Sequence, residues 1–545
     1  MSPSIRDRLD SARQITSTLT ERRVFALEPP WRTARAVGGI VRWGATIAGG
    51  YAAAAGRHGD RAAIIDDRGV LTFAEVLERS ENIARSLREL GVDTGDDVAV
   101  MARNHRGIIE ATVAATMLGA GIVYLNTGFA APQLAGVVER ERPEALIYDE
   151  EFESVFADVP ARLARVLSWS EPGGASDTQT LSQLAQAGAG GASLRRPPEA
   201  GRVVVLTSGT TGAPKGAARS LGGGVLASAA AILSRIPLDA DGTTHIAAPI
   251  FHSWGLAHLT LSLPLRSTLV LRRRFDALEA LRAVSQHRAD ALVVVPVMLS
   301  RMLEVDDEEL AALDVACLRV IASSGSALPG DLARRVMDRF GDVLYNLYGS
   351  TEVAWATIAG PRELREAPGT AGTPPPGTEV RILDASGSPV PAGTTGRIFV
   401  GNGAEFEGYT GGGSKEVVGG LMSTGDVGHV DEHGHLFIDG RDDEMIVSGG
   451  ENVYPVEVED LLATHDEIAD VAVVGVEDEQ FGHRLAAHVV LRAGATLDAE
   501  SVREHVRANL ARYKVPRDVV FHDELPRNAT GKILRRELRA EQPDV

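Results

Sequence analysis

The chain has 545 residues, 44% hydrophobic and 24% charged, an ordinary globular composition with apolar material for more than one domain. Lys and Arg number 55 against 74 Asp and Glu, a net charge of −19, which argues against nucleic acid as the main partner because phosphate backbones demand clustered cations. The single cysteine excludes an intramolecular disulfide and a two-cysteine metal site.

Residues 2–21 mix charges throughout and lack the apolar core and cleavage site of a signal peptide. Residues 36–56 are apolar and rich in small side chains but carry Arg42. The region from Trp31 to Tyr51 is expected to pack on the domain surface, with peripheral lipid contact as the alternative. The uncharged stretch 111–138 reads as buried helix, strand and turn, so no membrane span is expected. β-branched runs at 97–101, 121–125, 202–206, 291–295, 318–322 and 343–347 predict strands, and 132–141, 276–286 and 329–340 predict helices. Short apolar strands alternating with helices indicate parallel sheet covered on both faces. Residues 173–191 read as a mostly polar surface loop, and Cys317, in an apolar run, as a buried, inert thiol. Residues 378–440 have shorter strands and Gly/Pro turns, which suggests a small antiparallel or barrel-like subdomain.

After Arg441 the pattern restarts, with strands at 444–447, 471–476 and 486–491, helices at 455–464 and 498–510, and a basic tail at 532–539. The expected fold is α/β. A large N-terminal domain, residues 1–440, has mostly parallel sheets covered by helices plus the barrel-like subdomain. A small mobile α+β domain follows at 441–545.

The strongest local signal is Thr207-Ser208-Gly209-Thr210-Thr211-Gly212-Ala213-Pro214-Lys215-Gly216, directly after a predicted strand. Such a loop offers backbone N–H groups and hydroxyls to phosphate oxygens, with Lys215 as a cation. It is not a P-loop, because Pro214 precedes the lysine and Gly216 follows it. Asn346-Leu347-Tyr348-Gly349-Ser350-Thr351-Glu352 ends another strand: its tyrosine can stack on a base, its threonine can reach phosphate, and Glu352 can hold Mg²⁺. Asp426 follows the turn Ser423-Thr424-Gly425, where it could accept from ribose hydroxyls, and Arg441 offers a guanidinium fifteen residues later. Arg527-Asn528-Ala529-Thr530-Gly531-Lys532 presents a lysine on a glycine turn.

In this order, and with Pro249-Ile250-Phe251-His252, Ser323-Ser324-Gly325-Ser326 and the segment from Gly440 to Pro455, these motifs closely resemble the adenylate-forming superfamily of acyl-CoA synthetases, carrier-loading adenylation domains and luciferases. The resemblance spans nearly the whole chain, from Leu71 to Glu537, and looks strongest toward bacterial fatty-acyl-CoA ligases. It implies that Tyr348, in the same motif as Gly349, stacks on adenine while Asn346 and the Gly325-Ser326 backbone contact the base edge. Asp426 would bind ribose and Arg441 would support ribose and phosphate. The loop from Thr207 and Ser208 to Lys215, together with Thr351, would hold phosphates, with Glu352 on Mg²⁺. Lys532 would bridge the acid's carboxylate and the α-phosphate, Asp443 would be the hinge, and Gly450 would let the pantetheine arm of CoA pass. Phe251 and His252 would line the acyl pocket with Trp254, Val297, Met298 and Leu347, an apolar set without lysine or arginine.

The implied reaction is ATP-dependent activation of a carboxylic acid to an acyl-adenylate, followed by transfer to the thiol of CoA. The acid is expected to be a fatty or aryl monocarboxylate, the protein cytoplasmic, and the cofactors ATP and Mg²⁺ with CoA as co-substrate. The alternatives are a stand-alone enzyme loading a carrier protein, a relative that activates nitrite for N–N bond formation, and a binding protein without turnover. The last is disfavoured because both Lys532 and Glu352 are present.

Overall fold

The computed structural model describes residues 5–25, 28–157, 159–160, 162–171, 177–207, 215–220, 225–442, 446–448, 451–478, 482–528 and 531–540. Two large sheets dominate the first 360 of them. One has seven strands, and its parallel part runs Arg202–Thr207, Gly121–Tyr124, Asp97–Met101, Ala145–Asp149, Ala164–Trp169 in spatial order. Lys215–Ser220 joins it antiparallel to Arg202–Thr207, and Gly408–Tyr409 forms the edge. The other has eight strands, parallel from Leu344–Tyr348 through Val320–Ser323, Ala291–Val294, Thr243–Ile246 and Thr268–Leu271 to Ala62–Asp66, with an antiparallel strand at each edge.

Period-two alternation decides which layer each strand residue joins. In Asp97–Met101, Val98 and Val100 enter the main core while Ala99 and Met101 enter a second cluster on the opposite face. A sheet apolar on both faces needs cover on both. The helix Arg106–Leu118 supplies it inside the main core, where every residue from Gly107 to Leu118 is buried. Its one acidic residue, Glu110, is 2% exposed and takes the guanidinium of Arg79, as a buried charge must.

Residues 379–441 form a five-stranded antiparallel sheet built from Glu379–Leu383, Gly396–Gly401, Val417–Val418, Leu421–Val430 and Leu436–Arg441, with its own apolar cluster. The strands Ile446–Ser448, Glu451–Val453, Ile468–Asp478, Gly482–Leu491 and Asp518–His522 make a separate sheet, covered by Pro455–Ala463 and Ala499–Asn509.

Two expectations need correction. Within the stretch read as a polar loop, Leu181–Ala187 is a helix opened by a Thr180–Gln183 capping box, with Leu181, Leu184 and Ala185 buried. Two turns between glycine-rich flanks are too short for a periodic signal. Cys317 is half-buried rather than buried, although partial burial still pushes its thiol pKa up and keeps it protonated.

Candidate active site

Several of the singled-out residues stand at the carboxyl ends of parallel strands, where open α/β sheets gather ligands: Thr207, Ser323 and Tyr348 each close one. Ser323 and Asn346 are register partners on adjacent strands. The Ser323 Oγ and the Asn346 Oδ1 are both buried without a hydrogen-bond partner. Each such orphan costs about 1–3 kcal/mol, so the pair is a standing demand for a ligand's polar edge. Gly325 follows with φ +99°, and Ser326 is half-buried beside it. Gly349 has a packing reason of its own: a Cβ there would lie 2.2 Å from the Ala354 carbonyl oxygen.

The Tyr348 hydroxyl donates to Asp426 Oδ2 at 2.6 Å, and Arg441 Nη1 donates to Asp426 Oδ1 at 3.2 Å. Asp426 and Arg441 are cross-strand partners, so the sheet register itself pairs carboxylate with guanidinium. Burial pushes the Asp426 pKa up, and Arg441, the Tyr348 hydroxyl, Lys532 and Lys415 hold it against that rise. Each carboxylate oxygen retains lone-pair capacity for a second donor. Gly425, at φ +84°, leaves room for Lys415, whose Nζ lies 3.0 Å from where a Cβ would stand.

Lys532 reaches Asp426 electrostatically because its turn is seated on the large domain. Gly531, at φ +79°, sits so close that a Cβ would lie 2.3 Å from Val297 Cγ1. Within the turn, the Lys532 amide donates to Asn528 Oδ1 at 2.9 Å and the Asn528 amide to the Lys532 carbonyl at 2.9 Å. Nearby, Arg301 and Glu524 face each other at 3.6 Å.

Glu352 is buried, and its Oε1 accepts from the Tyr409 hydroxyl at 2.6 Å. The Lys215 ammonium lies 5.3 Å from the Tyr409 ring centroid, so one tyrosine stands between lysine and carboxylate. Burial, and Glu352 after it, pushes the Tyr409 phenol up and keeps it a donor. Thr351 Oγ1 accepts from Ser253 Oγ at 3.0 Å, and Arg219 Nη2 donates to the Thr351 carbonyl at 2.9 Å. Among the described residues no group of three or more His, Cys, Asp or Glu converges. The single buried carboxylate of Glu352 suits Mg²⁺, which takes one or two carboxylates and completes its shell with phosphate and water.

On the pocket side, burial pushes the His252 imidazole down to about 4, and Asn126 Nδ2 lies 3.5 Å from its Nε2. The Phe251 and His252 rings are 4.6 Å apart. Trp254 is buried, donates Nε1 to the Val294 carbonyl at 3.1 Å, and meets His258 edge-on at 4.4 Å. Met298 and Leu347 are buried and Val297 is half-buried. His258 lies one helical turn beyond Trp254. Its Nε2 is buried without a partner, and burial pushes its pKa down to about 3.

The structure thus brings Tyr348, Asp426, Arg441 and Lys532 into one cluster, and Tyr409 links Glu352 to Lys215. Ser208, Gly209, Thr210, Thr211, Gly212, Asp443 and Gly450 lie outside the described residues, and of Thr207 the backbone pairing with Lys215 is described. Sequence reasoning missed Tyr409, Lys415, Arg219 and His258. The first two lie in a Gly-rich stretch and the last two in apolar runs, so no local pattern marks them.

Residues 51–410 match the family described as AMP-binding enzyme, and residues 457–532 match the AMP-binding enzyme C-terminal domain. The chain is 34% identical over 481 residues to indoleacetate–CoA ligase of Aromatoleum aromaticum, covering 86% of this chain and 92% of that one. It is 34% identical over 499 residues to a feruloyl-CoA synthase of an Amycolatopsis species, covering 89% and 95%. In fold it resembles the crystal structure of an anthranilate CoA ligase in complex with anthranoyl-AMP, with a TM-score of 0.81 at 24% identity, covering 91% and 96%.

Two outcomes follow from the geometry. Gly531→Ala places a methyl against Val297 at a positive φ, so hydrogen exchange around 295–299 and 526–533 should quicken; unchanged exchange at both would show that the turn does not seat there. The second concerns acid. His245 and His252 are pushed down to about 4 and His258 to about 3, each by burial, against about 6.5 in the unfolded chain. Below that value the unfolded state binds more protons, so these groups stabilise the fold above it, and the stability is lost as pH falls toward 4. Asp460, pushed up to about 6 by burial, works in the opposite direction with Asp290 and Asp426, which burial also raises, while His287, lowered by burial, sides with the three histidines. Urea midpoints should therefore fall from pH 7 to pH 5, and His258→Leu should flatten the fall; a midpoint rising toward pH 5 would contradict the assignment.

Proposed function

The chain belongs to the AMP-binding enzyme family, and from that premise we propose that it activates an apolar monocarboxylic acid, aryl or fatty, with ATP and transfers the acyl group to the thiol of CoA. The observation that carries this reading is the convergence of Arg441, Lys415 and Lys532 on Asp426, beside Glu352 and Lys215, in a chain whose net charge is −19. Clustered cations in so acidic a protein answer a polyanionic ligand.

A carboxylate is a poor acyl donor at neutral pH. Attack of its oxygen on the α-phosphorus forms an acid–phosphate anhydride, breaks the bond to the β-phosphate, and releases pyrophosphate. Two anions must be held together for this. In the proposed arrangement Tyr348 stacks on the base and the Ser323 Oγ and Asn346 Oδ1 meet its edge. Asp426 takes the ribose hydroxyls on its remaining lone pairs. Lys215, Arg441 and Thr351 face phosphate, and Lys532 lies where charge develops between carboxylate and α-phosphate. Glu352, held by Tyr409, would bind Mg²⁺, whose chemistry here is to neutralise phosphate charge. In the second step the thiol sulfur attacks the acyl carbon, the bond to the phosphate oxygen breaks, and AMP leaves with the electron pair. For that step the turn carrying Lys532 moves off Val297, with Asp443 as hinge and Gly450 beside the incoming arm.

The acid's nature is read from Phe251, Trp254, Val297, Met298 and Leu347, all apolar, and from His252 and His258, which burial keeps neutral above about pH 4. A second charge on the substrate would be buried there unpaired. The relatives named for indoleacetate and ferulate support an aryl acid and CoA as the acceptor.

A panel of indoleacetate, ferulate, benzoate, medium-chain fatty acids, succinate, a free α-amino acid and nitrite, assayed for AMP with and without CoA, tests the substrate class. Apolar monocarboxylates should turn over fastest and form thioester. Faster turnover of succinate, an amino acid or nitrite would overturn it. Lys532→Ala separates the half-reactions: adenylation should drop on the order of 10²–10³-fold, the loss of one strong transition-state contact, while supplied acyl-adenylate and CoA still give thioester. Intact adenylation with abolished thioester formation would reverse the assigned roles.

A further inference from the structure

Pro30–Trp43 is an amphipathic helix lying outside the catalytic cluster and before residue 51, where the family match begins. One face is buried against the helix Ile47–His58. Ala36 is 4% and Trp43 2% exposed, and a Cβ on Gly39 would lie 2.7 Å from the Ala52 carbonyl carbon. That close approach fixes which way the helix faces. At about 100° per residue the opposite arc carries Trp31, Ala34, Val37 and Val41, while Ile40 sits at its border, next to Ala36 and toward Gly49 of the covering helix. Trp31 is 62%, Val37 56%, Ile40 38% and Val41 63% exposed. With Phe25 these make five of the eleven large hydrophobic side chains exposed among the described residues, gathered within seventeen positions. Scattered singly they would need no explanation; Trp31, Val37 and Val41 gathered on one arc, with Ile40 at its border, do.

The charge around this arc runs against the rest of the chain. Between residues 22 and 43 stand five arginines and one acidic residue, Glu28, in a protein of net charge −19. Arg35 is exposed at the edge of the apolar arc. Arg42 lies 4.7 Å from the Trp43 ring centroid and pairs with Glu81. Exposed Arg196 donates to the Val41 carbonyl at 2.9 Å, which places its guanidinium at the helix C-terminus with Arg195 beside it in the chain. No described helix is long and apolar enough to cross a membrane. An exposed apolar arc with a tryptophan at one end and arginines along its border is the arrangement that lies flat in a lipid headgroup region, burying its apolar side chains while the guanidiniums meet anionic headgroups.

We propose that the exposed face of Pro30–Trp43, bordered by Arg35, Arg195 and Arg196, docks the protein peripherally on anionic lipid bilayers. A neutral apolar partner would leave the arginine border unanswered, and a second copy of the chain would set arginine against arginine across a twofold contact. The full-length protein is sedimented with sucrose-loaded vesicles of phosphatidylcholine, with or without about 30% phosphatidylglycerol. It should bind the anionic vesicles in about 50 mM NaCl, bind the neutral ones far less, and lose most binding in about 300 mM. Trp31→Ser/Val41→Ser should weaken partitioning by about tenfold or more while leaving thermal unfolding unchanged, because both side chains are exposed. Arg35→Glu/Arg195→Glu tests the border independently of the apolar arc and should abolish the preference for anionic lipid. Absence of vesicle binding in low salt, binding that survives both double variants, or a dimer in sedimentation velocity that Trp31→Ser/Val41→Ser makes monomeric would each overturn the proposal.

Discussion

The Asp426 carboxylate is the point on which the site's geometry rests. It is taken from water at substantial cost, and that cost is met from three separate parts of the chain. Tyr348 donates from the end of the eight-stranded sheet, Arg441 pairs with it across the antiparallel sheet, and Lys532 and Lys415 add positive potential. A buried carboxylate deprived of one partner becomes a liability of several kcal/mol, so each element is held in register with the others. Since Arg441 ends the last strand of the antiparallel sheet, the pair also anchors that strand at its final residue.

Charge and space act together around that anchor. The protein as a whole repels anions, yet within this cluster the cations outnumber the carboxylates they face, and enclosed charges are screened far less than exposed ones. Positions without side chains set the spacing. Gly425 admits the Lys415 ammonium, Gly349 lets its turn close on Ala354, and Gly531 lets the lysine-bearing turn lie on Val297. In these three places the determining atom is a missing Cβ.

This division explains what could be read from the residues alone. Asp97–Met101 was legible to the residue because a short continuous apolar, β-branched run is local information. The candidate motifs stood out because each carries several unusual residues in a row. Tyr409 and Lys415 were not. Tyr409 meets Glu352 across 57 positions, through a two-residue edge strand whose sequence has no periodicity to detect. Arg219 looks like a chance charge in a strand until the fold sets it under Thr351. The helix Leu181–Ala187 failed for want of length, and the apolar face of Pro30–Trp43 was ambiguous because composition alone does not say which side a neighbour covers.

The seating of Lys532 offers a way for the proposed site to serve two steps. The turn is located by a tight fit of Gly531 on Val297, which is specific in direction but small in area. The accompanying Arg301–Glu524 pair has side chains 52% and 78% exposed, and a pair so exposed contributes only about 0–1 kcal/mol. The small domain carries its own core, so little of its stability depends on this contact. Placement of the lysine therefore rests on shape and on attraction to the Asp426 carboxylate, and the second is sensitive to what else occupies the cluster. In the proposed reaction a triphosphate and a carboxylate held there would strengthen the attraction. Departure of pyrophosphate would remove much of the negative charge that favours it, so that release of the turn would be coupled to completion of the first step by the charge balance of the site itself.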